Sequence, residues 1–231
     1  MASPVLETQQ ESSSTFTNSL TVVLPSGVAA GDMILLCGAQ DAADGVEVPT
    51  GYTQVYQGTA STSMTMAAFY KLAGSSESNP TWDVSDASSE GISVLAMRIS
   101  GWDEAAPVQS NNIVTGNVTT RDSPDATATG DCLVIRHLGI AHGNVASLVN
   151  PDTLVANFAP STSSAVTTTG VSQKDDGTGA VGAGTWSWTS PSDRAGGGTI
   201  IVHGGGGGGG PPLPIRRNID GGMNQILGGM Q

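Results

Sequence analysis

Gly31-Asp32-Met33-Ile34-Leu35-Leu36 recurs as Gly130-Asp131-Cys132-Leu133-Val134-Ile135, and the recurrence decides the fold. In each copy a turn-forming Gly-Asp pair opens a short, near-continuous apolar run. A run of that length (32–39 in the first copy) is the pattern of a strand covered on both faces or set in a sandwich core. Further along, Pro49 returns as Pro151, Lys71 as Lys174 and Trp82 as Trp186. Gly91-Ile92-Ser93-Val94-Leu95 returns as Gly198-Thr199-Ile200-Ile201-Val202. The offset drifts from 99 to 107 residues, as expected if loops gained residues while strands kept their order.

Around these anchors the first half predicts strands at 15–24, 32–39, 52–57, 63–72 and 92–100, with a short extended piece at Trp82. The second half predicts 112–119, 132–141, 153–158, 165–174, 185–188 and 199–203. Some eleven or twelve short strands divided by Gly, Pro, Asn and Asp turns, with no sustained helical period, predict an all-β fold. The expected architecture is a jelly-roll-like two-sheet β-sandwich built from two duplicated halves, with an extended C-terminal arm. The sandwich takes residues 1–203, with half-repeats about 12–101 and 110–203, and the arm takes 204–231. Each half could form a small sandwich of its own. Five or six strands per half favour the alternative, in which the halves interleave into one larger sandwich.

The chain has 231 residues, 38% apolar and 12% charged, with a formal net charge of −12. Arg216, Arg217 and Asp220 are the only charges in 204–231, so the arm carries about +1 and the body about −13. An acidic body repels phosphate, which argues against nucleic-acid binding. Cys37 and Cys132 sit inside apolar runs and read as buried free thiols, with a disulfide as the alternative. No N-terminal basic and apolar pattern reads as a signal peptide, and no run reaches the length of a membrane span, so a soluble, non-exported chain is expected.

The arm is a different material, holding eleven of the chain's 32 glycines. Seven consecutive glycines cost the most entropy to order, and Pro211-Pro212-Leu213-Pro214 predicts an extended, polyproline-II-like stretch. The candidate partner-binding residues follow: Ile215, Arg216, Arg217, Ile219, Met223, Ile226, Leu227 and Met230. Only burial of the apolar ones against a partner offsets the ordering cost, and the two arginines suit acidic surface.

No chemistry stands out elsewhere. His137 and His142 fall on opposite faces of a strand, which does not suit a zinc site. Asp41, Asp44 and Glu47 beside Gly45, and Asp175-Asp176-Gly177, read as solvated turns rather than calcium loops. Asp103-Glu104 read as exposed charge rather than a glycosidase pair. Trp102, Trp186 and Trp188 offer a sugar platform on paper but read more simply as core or rim. The expectation is no enzyme, no cofactor and no metal.

Four segments carry a resemblance: Val28-Ala29-Ala30-Gly31-Asp32-Met33-Ile34-Leu35-Leu36, Pro49-Thr50-Gly51-Tyr52, Phe69-Tyr70-Lys71-Leu72-Ala73-Gly74 before Thr81-Trp82, and Ala96-Met97-Arg98-Ile99-Ser100-Gly101. This pattern resembles the accessory virion structural proteins of tailed bacteriophages, in which a glycine-rich C-terminus recurs. The resemblance covers most of 15–203. It is weaker in the second half, where Pro151-Asp152-Thr153 lacks the Gly and Tyr and Gln173 replaces the aromatic before Lys174. It implies a capsid decoration or cement protein, assembled into a virion in the host cytoplasm, with the major capsid protein or other virion proteins as partners. A homo-oligomer, with a trimer as one option, is expected, and neither nucleic acid nor membrane is a partner. The alternatives are a tail fibre or tail-tip component with a glycan-binding face, and a carbohydrate-binding β-sandwich module.

Overall fold

A strand apolar along its whole length needs cover on both faces, and the fold provides that cover in four layers. The computed structural model describes residues 3–59, 64–85, 90–105, 108–110, 114–128, 130–142, 148–159, 168–176, 179–189 and 193–205. Among these the chain is all-β, and no helix is long and apolar enough to cross a membrane.

The first half supplies β1 (Val5–Thr17), β2 (Ser19–Thr21), β3 (Met33–Gln40), β4 (Thr53–Thr59), β5 (Thr65–Leu72), β6 (Thr81–Asp83) and β7 (Glu90–Ser100). Five of these form one antiparallel sheet in the order β1-β7-β3-β5-β4, and β2 pairs with β6 outside it. The second half supplies β8 (Val108–Ser110), β9 (Val114–Val118), β10 (Thr120–Ser123), β11 (Ala126–Ala128), β12 (Cys132–Ile140), β13 (Thr153–Phe158), β14 (Thr168–Asp176), β15 (Gly179–Val181), β16 (Gly184–Ser187) and β17 (Asp193–His203). Its main sheet runs β13-β14-β12-β17-β8, with β9 also on β17, while β10 pairs with β16 and β11 with β15. The two halves therefore repeat one sheet, strand for strand. A single two-sheet sandwich built from both halves is the expected arrangement, although within it the halves do not interleave their strands. Each half keeps its own sheet, and the sandwich arises where the sheets face each other.

The inner faces meet in one shared core containing Leu35, Met66 and Met97 from the first sheet and Leu133, Ile135 and Ile200 from the second. The outer face of the first sheet (Ile34, Leu36, Phe69) is covered by Trp82, Val22 and Val46. That of the second is covered by Trp186 and Trp188 over Leu138 and Ile140, and by Val181 and Ala128 over Val134 and Ile201. Alternate residues of β3 thus enter different cores, and all eight are buried. The additional short pairs raise the strand count to seventeen among the described residues, above the number predicted.

Pairing fixes the repeat register. Ile34 lies opposite Lys71 and Arg98, and Val134 lies opposite Lys174 and Ile201. The spacing is therefore 100 residues on β3 and β12, and 103 on the strands beside them. Both halves carry a bulge at equivalent places, between Gln54 and Tyr56 and between Leu154 and Ala156. The matches of Gly31-Asp32 to Gly130-Asp131 and of Gly91 to Gly198 are out of register by one and four residues. When both faces of a strand are apolar, period two vanishes from the sequence, and a slip that exchanges the faces goes unseen.

Glycine takes an unexpected role in β17. The sequence places the start of this strand at residue 199, yet β17 begins at Asp193 and runs through Gly197 and Gly198. A Cβ on Gly197 would strike the carbonyl oxygen of Asp122 in β10, and one on Gly198 would lie 2.6 Å from the Tyr56 hydroxyl. The residues are small because neighbours approach from both sides.

Candidate functional site

The polar residues at the centre of the molecule fasten it together. His137 takes the place in β12 that Cys37 takes in β3, both on the inner face. The ring of His137 is fully buried, and its Nδ1 is 2.8 Å from the Tyr56 hydroxyl of the other sheet. Nε2 has no partner. Nearby, Ser93 and Thr169 hydroxyls meet across the sheets at 2.7 Å. Burial pushes His137 down to about 3, so the folded ring is neutral. An unfolded histidine protonates near pH 6.5. Its contribution is therefore complete above about 6.5 and is lost as pH falls toward 3, at up to about 1.4 kcal/mol per pH unit. Denaturant titrations between these limits are expected to show that slope, and the double variant Tyr56→Phe, His137→Leu is expected to flatten it. An equal slope in both proteins would refute the assignment.

The other sequence candidates divide as follows. Cys37 and Cys132 are free and buried, Cys37 in the inter-sheet core and Cys132 on the outer face of its sheet, so no disulfide joins them. Among the described residues no three His, Cys, Asp or Glu side chains converge on a metal position. Asp44 is held by its carbonyl, which accepts from Gln40 at 2.8 Å, while Glu47 is exposed. Asp103 caps its own turn, accepting from the Ala105 N–H. All four tryptophans are buried: Trp82 and Trp186 completely, Trp188 at 4% and Trp102 at 8% exposure. None offers an open ring for stacking on a sugar. The arm candidates Ile215, Arg216, Arg217, Ile219, Met223, Ile226, Leu227 and Met230 lie outside the described residues.

The point from which the arm departs is well defined. β7 and β17 are equivalent strands, and the residues just past their ends meet. Trp102 forms an antiparallel bridge with Gly204, and the Gly205 N–H donates to Gly101 O at 2.9 Å. The Asp103 N–H donates to His203 O, and the Gly204 N–H to Asp131 O, each at 2.8 Å. Trp102 Nε1–H reaches Gly31 O at 2.9 Å, tying the junction to the start of β3. Gly101 permits the crossing with φ of +71°, and a Cβ there would meet the Ser3 carbonyl at 2.8 Å.

At the same end of the first sheet, past its opposite edge, a groove of about 400 Å³ opens. Its lining includes Tyr52, Pro49 and Pro80 together with Glu47 and Asp83. Gly51 turns the chain into β4 with φ of +81°, and Lys71 lies over it, its Nζ 5.8 Å from the Tyr52 ring centre. Lys71 Nζ donates to Glu77 at 2.6 Å, and this bond, with one from the Gly74 N–H, holds the Glu77 carboxyl below its ordinary value. Burial raises the Tyr52 phenol, whose hydroxyl oxygen is buried without a hydrogen-bond partner. In the second half Asp152 occupies the place of Tyr52 and is bound by Arg136 at 2.6 Å. The sequence showed the Pro-x-Gly-Tyr turn but not that distant Pro80 and Asp83 would come to face it.

Comparison with protein-family models, curated proteins and solved structures yields no match.

Proposed function

We propose that this chain is a non-enzymatic structural protein of a tailed-phage virion, a capsid decoration or cement protein assembled into particles in the host cytoplasm. It binds the major capsid protein and neighbouring copies through its C-terminal arm. The observation that carries the reading is the stitched junction at Trp102, Asp103, Gly204 and Gly205. A glycine-rich tether serves assembly best when its origin is fixed, because the search volume of the arm is then set by its length. The four tryptophans are all internal. The acidic body and basic arm complement one another between copies.

The structure moves the boundary for the decisive deletion. Gly204 and Gly205 belong to the junction, so the arm to remove is 206–231. Removal is expected to leave melting of the sandwich unchanged within about 0.5 kcal/mol, as for surface changes away from the core. Incorporation into particles is expected to fall at least about tenfold, the equivalent of about 1.4 kcal/mol. Occupancy equal to that of the intact chain, measured by densitometry of purified particles, would overturn the reading.

A further inference from the structure

We infer that the groove beside β4 is the receptor for the arm of a neighbouring copy, taking Pro211-Pro212-Leu213-Pro214-Ile215-Arg216-Arg217. This deepens the proposed function, on which it rests, by naming the surface that the arm engages.

Three observations converge. The first is shape and chemistry. Proline-rich segments are pre-set in an extended helix, lack most of their N–H donors, and dock in grooves lined by aromatic and proline side chains. Their free carbonyl oxygens seek donors. Tyr52, Pro49 and Pro80 line the groove, and the Tyr52 hydroxyl is buried with its hydrogen-bonding capacity unused. Docking costs little entropy, since the prolines lose few conformations on binding.

The second is charge. Glu47 and Asp83 line the groove, and Lys71 is already neutralised by Glu77. The groove therefore presents net negative charge to a segment that ends in Arg216-Arg217, whose guanidinium groups suit carboxylates. In the second half the place of Tyr52 is taken by Asp152, which is committed to Arg136.

The third is reach. The arm leaves beside β7, and the groove begins at Lys71 on β5, two strands away, and extends to Tyr52 before β4. Six chain steps from Gly205 to Pro211 cover about 20 Å at full extension. Since the proposed role of the arm is to join neighbouring copies, the occupant comes from the next copy. A head-to-tail contact of this kind builds rings or open arrays.

The test is sedimentation velocity of the full chain across the micromolar range, on four proteins: the wild type, E47R, R216E/R217E, and the three changes combined. Glu47 is exposed, so E47R leaves the fold intact, as equal melting temperatures will show. The expected result is self-association of the wild type, weakened at least about tenfold by either one-sided change and restored by the combination. Association of E47R equal to wild type overturns the groove assignment. If deletion of 206–231 abolishes association or particle incorporation at the same time, the reading of the arm survives alone. A wild type that stays monomeric throughout also overturns the assignment, and incorporation of the arm-deleted chain then decides the wider reading separately.

Discussion

Arg136→Ala is expected to cost about 3–5 kcal/mol of folding stability, the range for removing one partner of a buried ion pair. Arg136 is 3% exposed on the outer face of β12, where a repeat of Leu36 would have placed a leucine. Its Nε donates to Asp152 and its Nη2 to Gly182 O, both at 2.6 Å. Nη1 lies 3.4 Å from both Ser123 O and the Thr199 hydroxyl. One guanidinium thus fastens the approach to β13, the turn after β15 and the end of β10 to the central strand. Without it the Asp152 carboxylate loses its counter-ion in a mostly dry site, and carbonyls lose their donor. Arg136→Lys is expected to recover little, because a single ammonium cannot reproduce the fork. Removing both charges in Arg136→Met, Asp152→Asn is expected to recover a large part, since the penalty comes from the unpaired group. Urea unfolding of the three variants decides the matter. A loss below about 1 kcal/mol for Arg136→Ala would show that the network relaxes around the gap.

Trp82→Ala and Trp186→Ala are each expected to cost about 3–5 kcal/mol, the range for truncating a buried aromatic. Trp82 is fully buried, packs edge-on to Phe69 at 5.3 Å, and donates its indole N–H to Gln40 at 3.2 Å. Gly38 lies beneath it, where an added Cβ would come within 2.8 Å of the ring. Trp186 makes the corresponding bond to the Ser123 hydroxyl at 3.0 Å. The two rings sit in separate cores on opposite outer faces, with both sheets between them. Their effects should therefore add within about 0.5 kcal/mol. The double alanine variant would lose most of a domain's usual 5–15 kcal/mol, so additivity is best read from Trp82→Phe and Trp186→Phe. Strong coupling between these would mean that the outer layers are not independent. Trp186 and Arg136, by contrast, share Ser123 and are expected to couple.

These two sites also show what the sequence could and could not reveal. The tryptophans stood out as repeat markers because tryptophan is rare, so a match between two of them is informative. The all-β class and the positions of β3, β5, β7, β12 and β13 followed from turn chemistry and apolar run length. The sheet-per-half arrangement did not, because strand length and polarity are the same whether partners come from one half or both. Arg136 was invisible as a core residue, since nothing local distinguishes a buried arginine from an exposed one in an apolar strand. His137 was hidden for the same reason: its partner Tyr56 is 81 residues away. The groove was half legible, in the Pro-x-Gly-Tyr turn. The rest of its lining depends on where β6 is laid across the sheet.

The stitched junction has a mechanical consequence. Tension on the arm enters the molecule at Gly205 and passes into β17, which is held along one side by β12 and along the other by β8 and β9. A pull along the strand axis loads those ladders in shear, so many hydrogen bonds resist together rather than opening one by one. The bonds at Gly101 and Asp131 take up off-axis force before it reaches the sheet. The strand nearest the proposed tether is thus also one of the hardest to extract.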